Sequence, residues 1–486
     1  MERASIAADA QTVAASAARA NSEPWALASL ALAMLLSSLG TSSANVGLPA
    51  MAEAFGASFQ EAQWIVLAYL LAITTLIVSV GRLGDMFGRR RLLLVGIALF
   101  TAASVLCSLS PALWMLVAAR AAQGLGAAVM MALAMALVGE TVPKARTGSA
   151  MGLVGTMSAV GTALGPSLGG ALIAGCGWPA IFLVNVPLGL AALIFGYRFL
   201  PADRQDAKAD HPGFDVAGTL MLALTLGAYA LAMTLGRGSF GTLNAALLLV
   251  AAVGLGLFLR VEARAAAPLI RLAMLRDAAL SAGLATSMLV STVVMTTLVV
   301  GPFYLSRALG LEPALVGVIL SVGPLAVALT GIPAGRIADR FGPERTAIAG
   351  LVGMAAGCLM LAALPTQLGV PGYVVSIVVL TSSYALFQTA NNTAVMIRIG
   401  DAQRGVTSGM LNLSRNLGLI TGASAMGAVF ALASGASGIT AARPEAVGLG
   451  LHVTFAAAGA LMVFALAIAA ASRMVAARKE SLTAQT

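Results

Sequence analysis

Charge is scarce in this chain: Asp, Glu, Lys and Arg together make up 10% of its 486 residues, against 59% hydrophobic. Soluble domains carry roughly a quarter charged residues, so these are too few to cover a water-facing surface of this size. Cysteine is scarce too. Cys107, Cys176 and Cys358 stand far apart with no paired spacing, which argues against a disulfide framework or a thiolate metal site. The two histidines, His211 and His452, are too distant to form a metal centre. No Ser/His/Asp grouping, phosphate-cradling glycine loop or large polar domain is present, which disfavours an enzyme or a signalling receptor, and no cofactor is expected. Residues 1–23 lack a basic start followed by a short apolar run, so a cleavable leader is not expected.

What the chain does have is apolar sequence in long runs. Spans are expected at 26–50, 62–83, 92–109, 112–139, 149–174, 179–199, 216–236, 242–261, 279–301, 313–336, 346–365, 371–394, 406–433 and 448–472. Runs of this length cross about 30 Å of hydrocarbon at about 1.5 Å per residue, whereas barrel strands would be about 10 residues long and alternating. The expected fold class is therefore an all-α integral membrane protein of about fourteen transmembrane helices. Breaks such as Ser110-Pro111, Gly177-Trp178-Pro179 and Pro365 to Pro371 separate several spans.

The formal charge of +9 does not point to nucleic acid, because the basic residues sit between spans rather than in one patch. Placing the N-terminus in the cytoplasm puts 23 Lys and Arg on that side and three, Arg237, Arg307 and Arg443, on the other. Basic residues concentrate on the cytoplasmic side of membrane proteins, and one missed span would scramble this split. Both termini are thus expected to be cytoplasmic, in a multi-pass protein of the plasma membrane.

An internal repeat organises the spans. Gly81-Arg82-Leu83-Gly84-Asp85-Met86-Phe87-Gly88-Arg89-Arg90-Arg91 follows the second span, and Gly335-Arg336-Ile337-Ala338-Asp339-Arg340-Phe341-Gly342-Pro343-Glu344-Arg345 follows the tenth. Six of eleven positions are identical. Both segments follow the second helix of a six-helix block only if the seventh and eighth spans are an insertion. The expected organisation is a disordered cytoplasmic tail (1–25), a six-helix half (26–199), a hinge loop (200–215), an inserted helix pair (216–261), a cytoplasmic linker (262–278), a second six-helix half (279–472) and a cytoplasmic tail (473–486). Repeated halves around a midplane site are how many secondary transporters are built. In the loop, one carboxylate, Asp85, stands among four arginines, and a latch through Asp85 and Arg89 is expected; Arg90 and Arg91 are read as topology and headgroup contacts.

These residues resemble the major facilitator superfamily, in particular its fourteen-helix drug:proton antiporter group of the EmrB/QacA type. The resemblance covers nearly the whole chain. Gly81 to Arg91 is similar to the superfamily's loop signature, and Arg120-Ala-Ala-Gln123-Gly124-Leu-Gly126 to its fourth-helix signature, in which the arginine is associated with proton coupling. Gly161-x-x-x-Gly165-Pro166-x-x-Gly169-Gly170 resembles the fifth-helix signature of antiporters, and Trp178-Pro-x-Ile-Phe-Leu-Val-Asn185-Val-Pro187 is also typical of the group. The resemblance implies a coupling and switching set of Asp85, Arg89, Arg120, Gln123 and Asp339, and a moving glycine face on the fifth helix. Gly161, Gly165 and Gly169 share one helix face, which lets another backbone approach closely, and Pro166 removes an amide donor and kinks the helix.

One departure matters. The family's first helix usually carries Asp-x-Thr before Asn and Leu-Pro, whereas here Gly40 stands at the acidic position of Gly40-Thr41-Ser42-Ser43-Ala44-Asn45-Val46-Gly47-Leu48-Pro49. No Asp or Glu falls in the middle of a span: Asp85, Glu140, Asp215 and Asp339 fall at cytoplasmic ends, and Glu61 and Glu312 at outer ends. The embedded charges are Arg120 and Arg415. A central charge costs roughly 2.5–3.5 kcal/mol on insertion scales, so such residues usually face a cavity. A polar, positive cavity is expected from Thr41, Ser42, Asn45, Gln388, Asn391, Asn392, Asn412 and Arg415. The expected function is secondary active export of small amphiphilic or drug-like molecules, leaning toward neutral or anionic ones, with proton antiport left open. Uptake of a small metabolite is the competing reading. The expected partners are the small-molecule substrate and the bilayer; the protein is expected to be a monomer, and no adaptor-docking signature is present.

Overall fold

In the computed structural model the described residues are 2–143, 146–203, 216–235, 241–264, 277–397, 404–435 and 443–483. They hold fourteen helices long and apolar enough to cross a membrane. The first half comprises α1 (Glu2–Ala54), α2 (Phe59–Phe87), α3 (Arg89–Ser108), α4 (Leu113–Thr141), α5 (Thr147–Cys176) and a sixth span made of α6 (Ala180–Leu183) and α7 (Asn185–Phe199). The inserted pair is α8 (Val216–Thr234) and α9 (Thr242–Glu262). In the second half, α10 (Ala278–Phe303) ends in a π-helical turn over Tyr304–Ala308 and is followed by α11 (Pro313–Phe341), α12 (Pro343–Ala362) and α13 (Gly369–Ile397). Its fifth span joins α14 (Arg404–Thr421) to α15 (Gly427–Ala433) through a second π turn at Gly422–Met426, and α16 (Pro444–Thr483) completes it.

The expected spans fall on these helices, because twenty apolar residues in hydrocarbon leave backbone groups no partner outside a helix. The ends extend further than hydropathy shows. α2 starts in a capping box, with Ser58 and Glu61 each bonded to the other's backbone, so the helix begins before its apolar run. The N-terminal tail differs from expectation. The N-terminal segment expected to be disordered continues α1 as helix from Glu2, and α16 continues to Thr483. The first is rich in Ala, the strongest helix former, and the second carries Ala, Arg, Lys and Glu, which also favour helix. Residues 204–215 of the expected hinge and 265–276 of the linker lie outside the described residues.

The repeated loops share one backbone shape. Gly88 (φ +91°) and Gly342 (φ +86°) join the second helix of each half to its third in a conformation that favours glycine. At Gly88 the missing Cβ also makes room for Asp203, whose carboxylate accepts the backbone N–H of Arg90 (2.7 Å) and Arg91 (3.1 Å) at the start of α3. An anionic cap there complements the helix dipole.

One apolar cluster lies within the first half, around Leu30, Phe100 and Met130. The larger cluster runs through both halves, joining Met51 and Phe59 to Phe303 and Phe430. The inserted pair packs on α2, where the Trp64 indole donates to Thr234 (3.0 Å) and Ser79 bonds Thr219 (3.1 Å). α8 also touches the π turn at Gly422–Met426, so the pair lies against both halves. Leu243, Leu249 and Leu257 on α9 face outward, as a lipid-facing helix requires.

Candidate functional site

Arg120 sits about two turns into α4 and is fully buried. Its guanidinium donates to the Ile65 carbonyl (2.9 Å), the Gly40 carbonyl (3.0 Å) and Gln123 Oε1 (2.5 Å), and lies 4.1 Å from the centre of the Tyr69 ring. Gln123 passes the chain on, donating to Ser104 at 2.7 Å. The planar fork thus ties α4 to α1 and α2 through backbone oxygens under an aromatic cover. Nη2 of Arg120 has no hydrogen-bond acceptor. The expected cavity-facing cation is instead a sealed clamp in this conformation. Gly40, at the position where the resemblance places an acid, presents only its carbonyl to that cation.

Arg415 behaves differently. It is half-buried on α14, with Asn416 buried beside it and Asn412 exposed. Gln388 has a buried Oε1 with no partner, and Asn392 is half-buried. Asn391 donates to the Gly283 carbonyl at 3.2 Å, inside the second half. On α1, Thr41 bonds back to Ser37 (3.2 Å) and Asn45 to Thr41 (3.0 Å), leaving Asn45 Oδ1 buried and unpartnered. Ser42 does not line a cavity: it donates to the Gly161 carbonyl at 3.1 Å and packs on Gly165, inside the α1–α5 seam. The polar set expected to share one cavity is therefore divided. Ser42 and Asn391 serve helix packing, while Asn45 and Gln388 keep buried acceptors unused.

The fifth-helix glycines also divide between two neighbours. Gly161, Gly165 and Gly169 abut α1, whereas a Cβ on Gly170 would lie 2.5 Å from the Pro313 carbonyl of α11. Gly317 of α11 meets Pro166 and Gly170 in turn. α5 is thus wedged between a helix of its own half and one of the other.

In the loop after α2, the side chain of Asp85 lies outside the described residues. Arg89 pairs with Glu140 at the end of α4 (2.7 Å), a partner not assigned to it from sequence, and Arg90 donates to the Tyr197 carbonyl. In the second loop Asp339 is exposed, and Pro343 stands at the position of Arg89, so the Arg89–Glu140 pair has no counterpart there.

Several residues that link the halves carry little sequence signal. Arg307 in the π turn after α10 pairs with Glu53 of α1 at 2.6 Å. Gln63 of α2 donates to the Ala423 carbonyl at 2.6 Å, inside the second π turn. Phe59 packs on Phe303 (4.8 Å) and Phe430 (5.2 Å). All these contacts lie at the end away from the basic loops, so the structure is sealed there. Arg307 was detectable as one of three basic residues on the sparsely charged side. Gln63 and Tyr69 had no comparable signal. The Glu53–Arg307 pair is partly exposed, and such pairs contribute about 0.2–1 kcal/mol, so Arg307→Gln should change transport less than about fivefold in a vesicle assay. A complete loss would show that this arginine does more than hold the seal.

Two six-helix halves, a buried arginine clamp and a glycine seam between the halves are the construction of a membrane carrier. The Major Facilitator Superfamily pattern matches residues 30–423, and the chain belongs to that family. It is 33% identical to an uncharacterized transporter, YebQ, of Escherichia coli strain K12, over 82% of this chain and 87% of that protein. It is 31% identical to the multidrug efflux pump LfrA of Mycolicibacterium smegmatis, over 85% and 82% of the two chains. Among solved structures, a bacterial homologue of the human lysosomal transporter Spinster, inward-facing, superimposes with a TM-score of 0.69 at 17% identity, covering 93% of this chain and 97% of that one. The protein is a multi-pass membrane transporter for small molecules.

Proposed function

We propose that the chain exports small amphiphilic, drug-like molecules by alternating access, working as a monomer with its basic loops and both termini in the cytoplasm. The 23-to-3 distribution of basic residues supports that orientation. The relative named as a multidrug efflux pump supports the direction. The observation that carries the substrate class is Gly40: its carbonyl, not a carboxylate, meets Arg120. Among the described residues no Asp or Glu lies midway along a span, and Arg415 is the embedded cation left partly accessible. A cationic substrate would find no counter-charge there, while a neutral or anionic one meets polar amides and a guanidinium. With the inside negative, an anion leaving gains about 2.3 kcal/mol per charge per 100 mV, enough to drive export without protons.

Efflux of two matched lipophilic dyes, one anionic and one cationic, from energised vesicles tests this reading. The anionic dye is expected to leave faster, and collapse of the voltage rather than the pH gradient should stop it. Gly40→Asp should shift preference toward the cation, since a carboxylate beside Arg120 offsets its charge; the new Cβ lies 3.1 Å from Phe100, whose ring must give slightly. Cation efflux by the unaltered protein, driven by the pH gradient alone, would refute the substrate class and leave the export reading standing.

A further inference from the structure

The second half contains a cavity of its own, apart from the Arg120 clamp. About 220 Å³ of space lies between α10, α12, α13 and α16, at the end that carries the basic loops. The charges at its mouth are engaged with the protein itself. Arg473 of α16 stands 3.6 Å from Glu344 of α12, and Asp277 caps α10 by accepting the N–H groups of Ala279 (2.8 Å) and Leu280 (2.9 Å). The loop repeat sets a register between the halves, in which Ala279 and Gly283 of α10 take the places of Trp25 and Ser29 of α1. In the first half an aromatic side chain covers this corner: Trp25 packs on Phe195 (5.1 Å) and Phe199 (6.0 Å) of α7, and Ser29 donates to the Ala192 carbonyl (2.8 Å). In the second half only a methyl group and a hydrogen stand there, and the space toward Ala469 of α16 is open.

Below the mouth the walls are apolar, with Leu351 and Phe387 from the large core facing Leu280 and Val395 from a small separate cluster. Two polar side chains join them. The Thr286 hydroxyl donates to the Ala282 carbonyl at 2.8 Å. Asn391 is 5% exposed, and its nitrogen donates to the Gly283 carbonyl at 3.2 Å, which fixes where its oxygen points. That Oδ1 accepts no hydrogen bond among the described residues. A bare acceptor in apolar surroundings costs free energy that a donor on an occupant would recover. Open apolar space likewise forfeits contacts that an occupant would restore. Size narrows the choice: an apolar cavity of about 150 Å³ holds a benzene, whereas drug-sized ligands take roughly 300–1,000 Å³. The space suits a two-ring aromatic. All four lining helices belong to the second half, so a molecule held here is not presented to the two sides in turn, as one bound between repeats is.

We propose that this cavity binds one neutral two-ring aromatic with a single N–H donor, of the indole class, as a ligand held outside the transport path. Its ring lies beside Leu351 and Phe387, and its N–H donates to Asn391 Oδ1. It takes in the second half the kind of place that the Trp25 indole takes in the first. This site does not depend on the direction or substrate of transport.

Calorimetric titration of the full chain in detergent micelles, with protein-free micelles subtracted, tests this with indole and 1-methylindole, which differ by the donor. One indole per chain is expected, bound about fivefold more tightly than 1-methylindole, the worth of one neutral hydrogen bond. Asn391→Leu should bring indole down to the affinity of 1-methylindole and leave 1-methylindole unchanged, which also shows the cavity intact. Ala279→Trp, which gives α10 the residue that α1 has at this place, should abolish binding of both. Absence of indole binding, or equal binding of the two compounds by the unaltered protein, overturns the proposal, as does an indole affinity unchanged in Asn391→Leu. Displacement of indole by an exported dye would place the cavity on the transport path and overturn it as well.

Discussion

Arg120→Lys is expected to lower efflux at least tenfold while leaving a folded, membrane-inserted protein. The guanidinium makes three hydrogen bonds at once, to Ile65, Gly40 and Gln123, and stacks on Tyr69. An ammonium is a point charge without that planar fork, so it leaves at least one buried carbonyl unpartnered. Hydrogen bonds to charged groups contribute about 1.5–3 kcal/mol, and about 1.4 kcal/mol is already a factor of ten. The loss falls on function because α1, α2 and α4 must hold one arrangement while the half moves as a unit. Initial efflux rates at matched expression, alongside thermal unfolding in detergent, check the prediction. Efflux within twofold of the unaltered protein, with normal unfolding, would reduce Arg120 to a buried charge whose geometry is interchangeable.

The same residue shows how far sequence reaches. That Arg120 would need partners inside the protein was legible, because a charge within an apolar run is costly. Its surroundings were not. The acceptors on Gly40 and Ile65 are main-chain oxygens, which every residue has, and the cover is a tyrosine without a motif. Hydropathy located the spans because one property, unpaired backbone in hydrocarbon, dominates their energetics. Polar residues inside those spans respond to smaller, competing terms. Ser42 and Asn391 satisfy them by bonding to carbonyls of a neighbouring helix. Glu140, 51 residues after Arg89, supplies that arginine with an ion-pair partner that only packing could reveal.

Gly317→Ala should reduce efflux ten- to a hundredfold, whereas Gly335→Ala on the same helix should leave it within twofold. A Cβ at Gly317 would stand 2.3 Å from the Pro166 carbonyl and 2.9 Å from the Gly170 Cα, both backbone atoms of α5. No rotamer relieves such a clash, so α5 and α11 must move apart. At Gly335 an added Cβ meets nothing within 4 Å. Overpacking a well-fitted contact costs about 1–3 kcal/mol, and here the cost falls on the state in which the seam is closed. A transporter that spends that energy in one state shifts its population by roughly ten- to a hundredfold and turns over correspondingly less often. The distance between labels at positions 53 and 307, across the sealed end, should lengthen in Gly317→Ala and stay unchanged in Gly335→Ala. If Gly317→Ala slows efflux with that distance unchanged, the α5–α11 seam is a static packing contact and the moving surface lies elsewhere between the halves. If both change together, the methyl group has measured what the closed seam contributes to the transport cycle, and the glycine run on α5 is explained by the helix it meets on the other half as well as by the one it packs against on its own.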